Sequence, residues 1–225
     1  MSTQTQTPLA PRLEDTKAHL GTIAPAALLD VLGEEQARLV RDDAAAATAA
    51  GRVTVGDALP SALLVDHAGQ EVAVGGAGPA VVVFYRGAWC PYCNVALGAY
   101  QREVLPVARE LGVDFVAVSP QGPSGSQEIA QANDLTFPVL TDVGSTYAAS
   151  LGLVFELTDD VREVHLQLGN DFDSINAGSE WALPRPTVIV TDAEGVVRYV
   201  DVQADYTRRT EPADVVAAVR AVAGA

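Results

Sequence analysis

Apolar positions follow two alternating rhythms along most of this chain. Residues 80–85 form a continuous apolar run, β-branched and aromatic after Ala80, the pattern of a buried strand. From Asn94 to Leu111, apolar residues recur at Val95, Leu97, Tyr100, Val104, Leu105, Ala108 and Leu111. That spacing predicts an amphipathic helix. The alternation then continues, with strands over 113–119 and 137–142 and helices over 126–133 and 145–151. Pro186 and Thr187 lead into a further apolar strand, and 196–202 is the strand that returns from it. Pro212 opens a last helix through Ala223. Upstream, 61–65 and 71–74 flank a polar turn containing Gly69 and read as a hairpin. Strands alternating with helices predict an α/β domain with a central sheet.

Two segments stand outside this rhythm. Over 13–51 the pattern is helical, with Leu28, Leu29, Leu32, Leu39 and Val40 on one face. Gly33 is expected to interrupt it and Gly51 to close it. This is an N-terminal helical extension, expected to pack on the domain that occupies 53–225 or on a second subunit. Residues 1–12 are polar and expected to form a disordered tail. Residues 154–183 contain Asp159, Asp160, Asp171, Asp173, Glu180 and Trp181. They read as an insertion near the active face, with the acids solvated. Their spacing does not match an EF-hand loop.

Composition narrows the partners. The 225 residues are 48% hydrophobic and carry a formal net charge of −15. Such a charge argues against nucleic acid, whose binding rests on phosphate neutralisation. No stretch has the length and apolarity of a membrane span. Met1 to Ala10 lacks the basic and apolar regions of a secretory leader, so a cytoplasmic location is expected.

The chemistry concentrates in Trp89, Cys90, Pro91, Tyr92 and Cys93, which hold both cysteines of the chain. They sit where a buried strand hands over to a helix. Helix starts offer unpaired N–H groups and positive potential, and both stabilise the reactive thiolate. Two thiols at this spacing readily close a disulfide. A redox-active dithiol is therefore expected, with an inert core pair or half a metal site as alternatives. Zinc wants four ligands, and His19, His67 and His165 are scattered, so no metal or other cofactor is expected.

The stretch from Phe84 to Cys93 resembles the peroxiredoxins of the alkyl hydroperoxide reductase and thiol-specific antioxidant family. Their motif runs Phe-Tyr-Pro, three residues, Thr, two residues, peroxidatic Cys. Laid on this sequence, Arg86 falls on the Pro, Cys90 on the Thr and Cys93 on the peroxidatic cysteine. The match is nearest to the peroxiredoxin-like group that carries a CxxC there. Cys-Pro-Tyr-Cys is also similar to the glutaredoxin site, and a preceding Trp to that of thioredoxin. The resemblance implies an α/β, thioredoxin-like fold with a central mixed sheet flanked by helices. It also implies a thiol-dependent peroxidase that cycles between the Cys90/Cys93 dithiol and its disulfide, re-reduced by thioredoxin or another thiol reductant. The alternatives are a glutaredoxin-like disulfide oxidoreductase and a non-catalytic redox sensor. The family's Arg position falls on Pro186, one residue after Arg185. Pro186 and Thr187 resemble the thioredoxin-fold segment whose proline is cis and faces the sulfurs. Trp89, Arg86, Arg185, Pro186 and Thr187 are the expected substrate-binding residues beside catalytic Cys93 and Cys90. The expected partners are a hydroperoxide and its thiol reductant, without nucleic acid or membrane. The N-terminal helices are compatible with a homodimer.

Overall fold

The computed structural model describes residues 8–178 and 181–224. In chain order its elements are α1 (Leu9–Ile23), α2 (Ala26–Ala50), β1 (Ala62–Asp66), β2 (Glu71–Val74), β3 (Ala80–Phe84), α3 (Pro91–Glu103), α4 (Leu105–Glu110), β4 (Asp114–Ser119) and α5 (Pro123–Ala132). They continue with β5 (Val139–Thr141), α6 (Thr146–Ser150), β6 (Val154–Glu156), α7 (Asp159–Gln167), α8 (Phe172–Ile175), β7 (Ala182–Pro184), β8 (Thr187–Thr191), β9 (Val197–Val202) and α9 (Pro212–Ala223).

Seven strands form one mixed sheet in the order β2-β1-β5-β4-β3-β8-β9. β3, β4 and β5 run parallel, while β8 lies antiparallel to β3. β3 sits between β4 and β8 and is buried on both faces, as its unbroken apolar run requires. Val81 and Val83 face the layer of α3, α4 and α9, and Val82 and Phe84 face the opposite layer. Each such side chain contributes roughly 1.5–3 kcal/mol by leaving water. The fold is α/β and thioredoxin-like, with the N-terminal helices present as an added layer. No helix among the described residues is long and apolar enough to cross a membrane.

Several boundaries differ from the sequence reading, each for a local reason. Gly33 lies inside α2 and interrupts nothing; the break falls at Ala24 and Pro25, where Ala24 is extended. A residue before proline is pushed out of the helical region. Gly51 closes α2 as expected, with φ +61. The helix foreseen over 94–111 is two helices joined at Val104, because Pro106 opens the second. α1 starts at Leu9, inside the stretch read as a polar tail. Residues 1–7 of that expected tail lie outside the described residues. Within 154–183, β6 and β7 pair as a two-stranded ribbon. α7 and α8 lie between them in sequence. Leu39 of α2 shares a cluster of buried side chains with Phe155, Leu157, Val161, Phe172, Leu183 and Tyr206.

Candidate active site

β3 ends at Phe84, and a tight loop carries the chain into α3 with Cys90 as its N-cap. Gln121 holds this loop: its amide donates to Tyr85 Oη (2.7 Å) and its carbonyl accepts from Ala88 N (2.7 Å). Asn94 holds the other side, donating to the carbonyls of Ala88 (2.7 Å) and Cys90 (3.0 Å). Both cysteines are reduced and buried, Cys90 at 1% exposure and Cys93 at 0%.

The cation beside the sulfurs is Arg209. Its Nη2 lies 3.0 Å from Cys93 Sγ and 3.7 Å from Cys90 Sγ. Nη1 is held by the carbonyls of Tyr206 and Arg208. The loop that carries it is tied down in turn. Tyr100 of α3 donates to the Thr210 carbonyl (2.8 Å), and Thr210 Oγ1 donates to Asp201 (2.8 Å). Tyr100 lies seven residues after Cys93, on the same helix face. One face of α3 thus carries the sulfur and fixes the loop that bears its counter-charge.

The two thiols are driven apart in acidity. Burial raises the Cys93 pKa, but the hydrogen bond from the Cys90 thiol and the Arg209 charge outweigh it. Cys93 ends well below the ordinary thiol range. Cys90 goes well above it, because burial and the neighbouring Cys93 thiolate disfavour a second negative charge. The geometry therefore supports a thiolate on Cys93 that accepts a hydrogen bond from Cys90.

The expected site residues divide into two sets. Pro186 and Thr187 line a small pocket that also holds Cys93 and Arg209. Trp89 and Arg86 line a larger groove at Cys90. Trp89 packs edge-on against His165 and at a tilt against Phe172, so the 154–183 segment reaches this face. Arg185 is not brought to the sulfurs. It is buried, lies 3.5 Å from Asp43 of α2 and sits over the Phe155 ring. In extended chain, neighbouring side chains point opposite ways, and Pro186 takes the inward direction. The cis bond foreseen before Pro186 is also corrected, since no peptide bond among the described residues is cis. The strand runs extended there, with Arg185 N donating to Leu153 O and Pro186 O accepting from Gln203 N.

Arg209, Gln121, Tyr206 and His165 were not foreseen as site residues. Arg209 follows Arg208 just past the last strand, in a chain with 14 basic residues. Only that loop position hinted at it.

Comparison with known proteins places the fold. The structure is similar to that of a peroxiredoxin-like protein from Aquifex aeolicus, with TM-score 0.61 and 21% identity over 76% of this chain and 88% of that one. It is similar to peroxidoxin BcpB from Mycobacterium tuberculosis, with TM-score 0.58 and 19% identity over 76% and 99%. A thiol peroxidase from Chromobacterium violaceum aligns with TM-score 0.53 and 15% identity over 76% and 88%. At these identities the likeness concerns the fold. In sequence, no curated protein matches the chain. The model of the AhpC/TSA family matches residues 55–200, a span that holds both cysteines and stops short of Arg209. That match covers more than half of the 225 residues, and the chain therefore belongs to the AhpC/TSA family.

Proposed function

We propose that the protein is a thiol peroxidase in which Cys93 attacks the hydroperoxide and Cys90 resolves the product. The observation that carries this reading is Arg209 Nη2 at 3.0 Å from Cys93 Sγ. A cation there stabilises the attacking thiolate and offers N–H donors to a peroxide oxygen. The Cys93 thiolate attacks one peroxide oxygen, the O–O bond breaks, and the alkoxide leaves with a proton as alcohol. Cys93 is then a sulfenic acid. The Cys90 sulfur attacks it, forming the Cys90–Cys93 disulfide, and water leaves with the Cys90 proton. Two reducing equivalents from an external thiol reductant restore both thiols. Such a cycle belongs in the reducing cytoplasm, where thiols are regenerated. The opposite, thioredoxin-like order needs a low-pKa Cys90, and the high pKa of the Cys90 thiol disfavours it.

Single cysteine variants test the assignment. Cys93→Ser is expected to abolish reaction with peroxide. Cys90→Ser is expected to give one fast oxidation and then stall as a sulfenic acid that dimedone traps. Dimedone labelling of Cys90 in Cys93→Ser, with none on Cys93 in Cys90→Ser, would overturn the order proposed.

A further inference from the structure

The Cys90 side of the site opens into a groove of about 290 Å³. Leu20 of α1, Ala24 at the break after it, and Leu29 and Leu32 of α2 form one side. His165 and Tyr206 face them. The chain has 29 acidic residues, yet no carboxylate lines this groove among the described residues. It holds a cation instead. Arg86 is 4% exposed, and its guanidinium carbon lies 4.7 Å from the Trp89 ring and 4.3 Å from the Tyr206 ring. No ion pair forms on it among the described residues, and its Nε lacks a hydrogen-bond partner. His165, 3% exposed, also leaves its Nε2 unpartnered. Burial and Arg86 together hold the ring neutral, with its pKa lowered to about 3. A buried charge held by aromatic faces but lacking a counter-ion is costly, so a groove built around one favours an anion.

The two sulfurs are not equivalent toward this groove. Both are buried, but Cys90 lines the groove and Cys93 does not. In thiol–disulfide exchange the sulfur with the lower pKa leaves faster. Arg209 makes Cys93 that leaving group, so a reductant is directed to Cys90, the sulfur that the groove serves.

We propose that the groove binds a low-molecular-weight thiol bearing a carboxylate, seated on Arg86 with its sulfur against Cys90. This rests on the peroxidase reading for the origin of the disulfide. The thiolate attacks Cys90 Sγ and forms a mixed disulfide. The Cys90–Cys93 bond breaks, and its electron pair leaves on Cys93, beside Arg209. A second thiol attacks the bound thiol's sulfur, a symmetric small-molecule disulfide departs, and Cys90 takes up a proton. The volume suits one small organic molecule, and the apolar walls strengthen its contact with Arg86 by keeping water away.

The test uses full-length oxidised protein, prepared with hydrogen peroxide and, in parallel, with diamide. Its reduction is followed by Trp fluorescence with 3-mercaptopropionate, 2-mercaptoethanol and cysteamine, at equal thiolate concentration. The carboxylate thiol is expected to react about tenfold faster than the neutral one, the factor of one charge-assisted hydrogen bond, and cysteamine slowest. Arg86→Gln should remove the preference and Arg86→Lys should keep part of it. Leu29→Glu, on a half-buried wall position, should turn the preference toward cysteamine and covers the case in which Arg86 variants do not fold. Equal rates for the three thiols would overturn the proposal, as would a preference that survives Arg86→Gln. Faster reduction by thioredoxin, indifferent to Arg86, would also overturn it. If peroxide fails to form the disulfide, the peroxidase reading fails, while the diamide-oxidised protein still decides this one.

Discussion

The Glu211 carboxylate accepts from Leu9 N at 2.7 Å and from Ala10 N at 2.8 Å, across about two hundred residues of chain. It therefore caps the start of α1 from a position two residues after Arg209. The loop that presents the guanidinium to Cys93 also anchors the N-terminal helix. Tyr206, in the same loop, donates to the Leu32 carbonyl of α2 (2.8 Å). One short loop thus ties the counter-charge of the thiolate to both added helices.

Glu211→Ala should therefore loosen α1. Losing a cap costs about 1 kcal/mol. A lowered melting temperature is expected, together with faster hydrogen exchange confined to the first turns of α1. Exchange unchanged there would show that α1 is held by its apolar contacts alone.

Arg209→Met should raise the Cys93 pKa, because burial then acts with less to oppose it. The rate of peroxide oxidation at neutral pH is expected to fall by about tenfold or more and to recover as pH rises. In the native protein the depressed Cys93 pKa contributes stability above the ordinary thiol pKa. That contribution is lost as pH falls through the folded value, and Arg209→Met should weaken this dependence, leaving the part due to the Cys90 hydrogen bond. A pH–rate profile unchanged from wild type would refute the role of Arg209.

Gly87→Ala should disturb the site from behind. Gly87 has φ +156, and a Cβ there would collide with the Trp89 indole nitrogen. Strain of about 1–3 kcal/mol is expected, with altered Trp fluorescence and a slower reaction at Cys90. Fluorescence and stability within error of wild type would contradict the close approach.

His165 gives a second pH signature. Its folded pKa, lowered to about 3 by burial and then by Arg86, lies below the unfolded value near 6.5. The unfolded chain therefore binds a proton that the folded chain does not. Stability should be full above about pH 6.5 and decline as pH falls toward 3. Denaturant melts of His165→Phe should show a flatter slope across that window. An identical slope would mean that the ring protonates in the folded state.

The order of strands and helices was legible in the sequence because it is set locally. The apolar run of β3, the hairpin turn at Gly69 and the spacing in α3 each report which side chains are buried, and burial follows backbone period. The dithiol was legible for the same reason, since two cysteines three positions apart at a strand–helix junction need no tertiary information to be neighbours. The partners of those sulfurs were not legible. Counting along the strand puts the family's Arg position on Pro186, with Arg185 one residue away, and nothing local marks Arg209. The tertiary structure turned Arg185 to Asp43 and brought Arg209 to Cys93 through Tyr100 and Thr210. It also gathered His165, Tyr206 and the leucines of the first two helices around Arg86. A local pattern determines which residues leave water. Which charged side chain meets which sulfur depends on contacts between segments far apart in the chain, which no periodicity records.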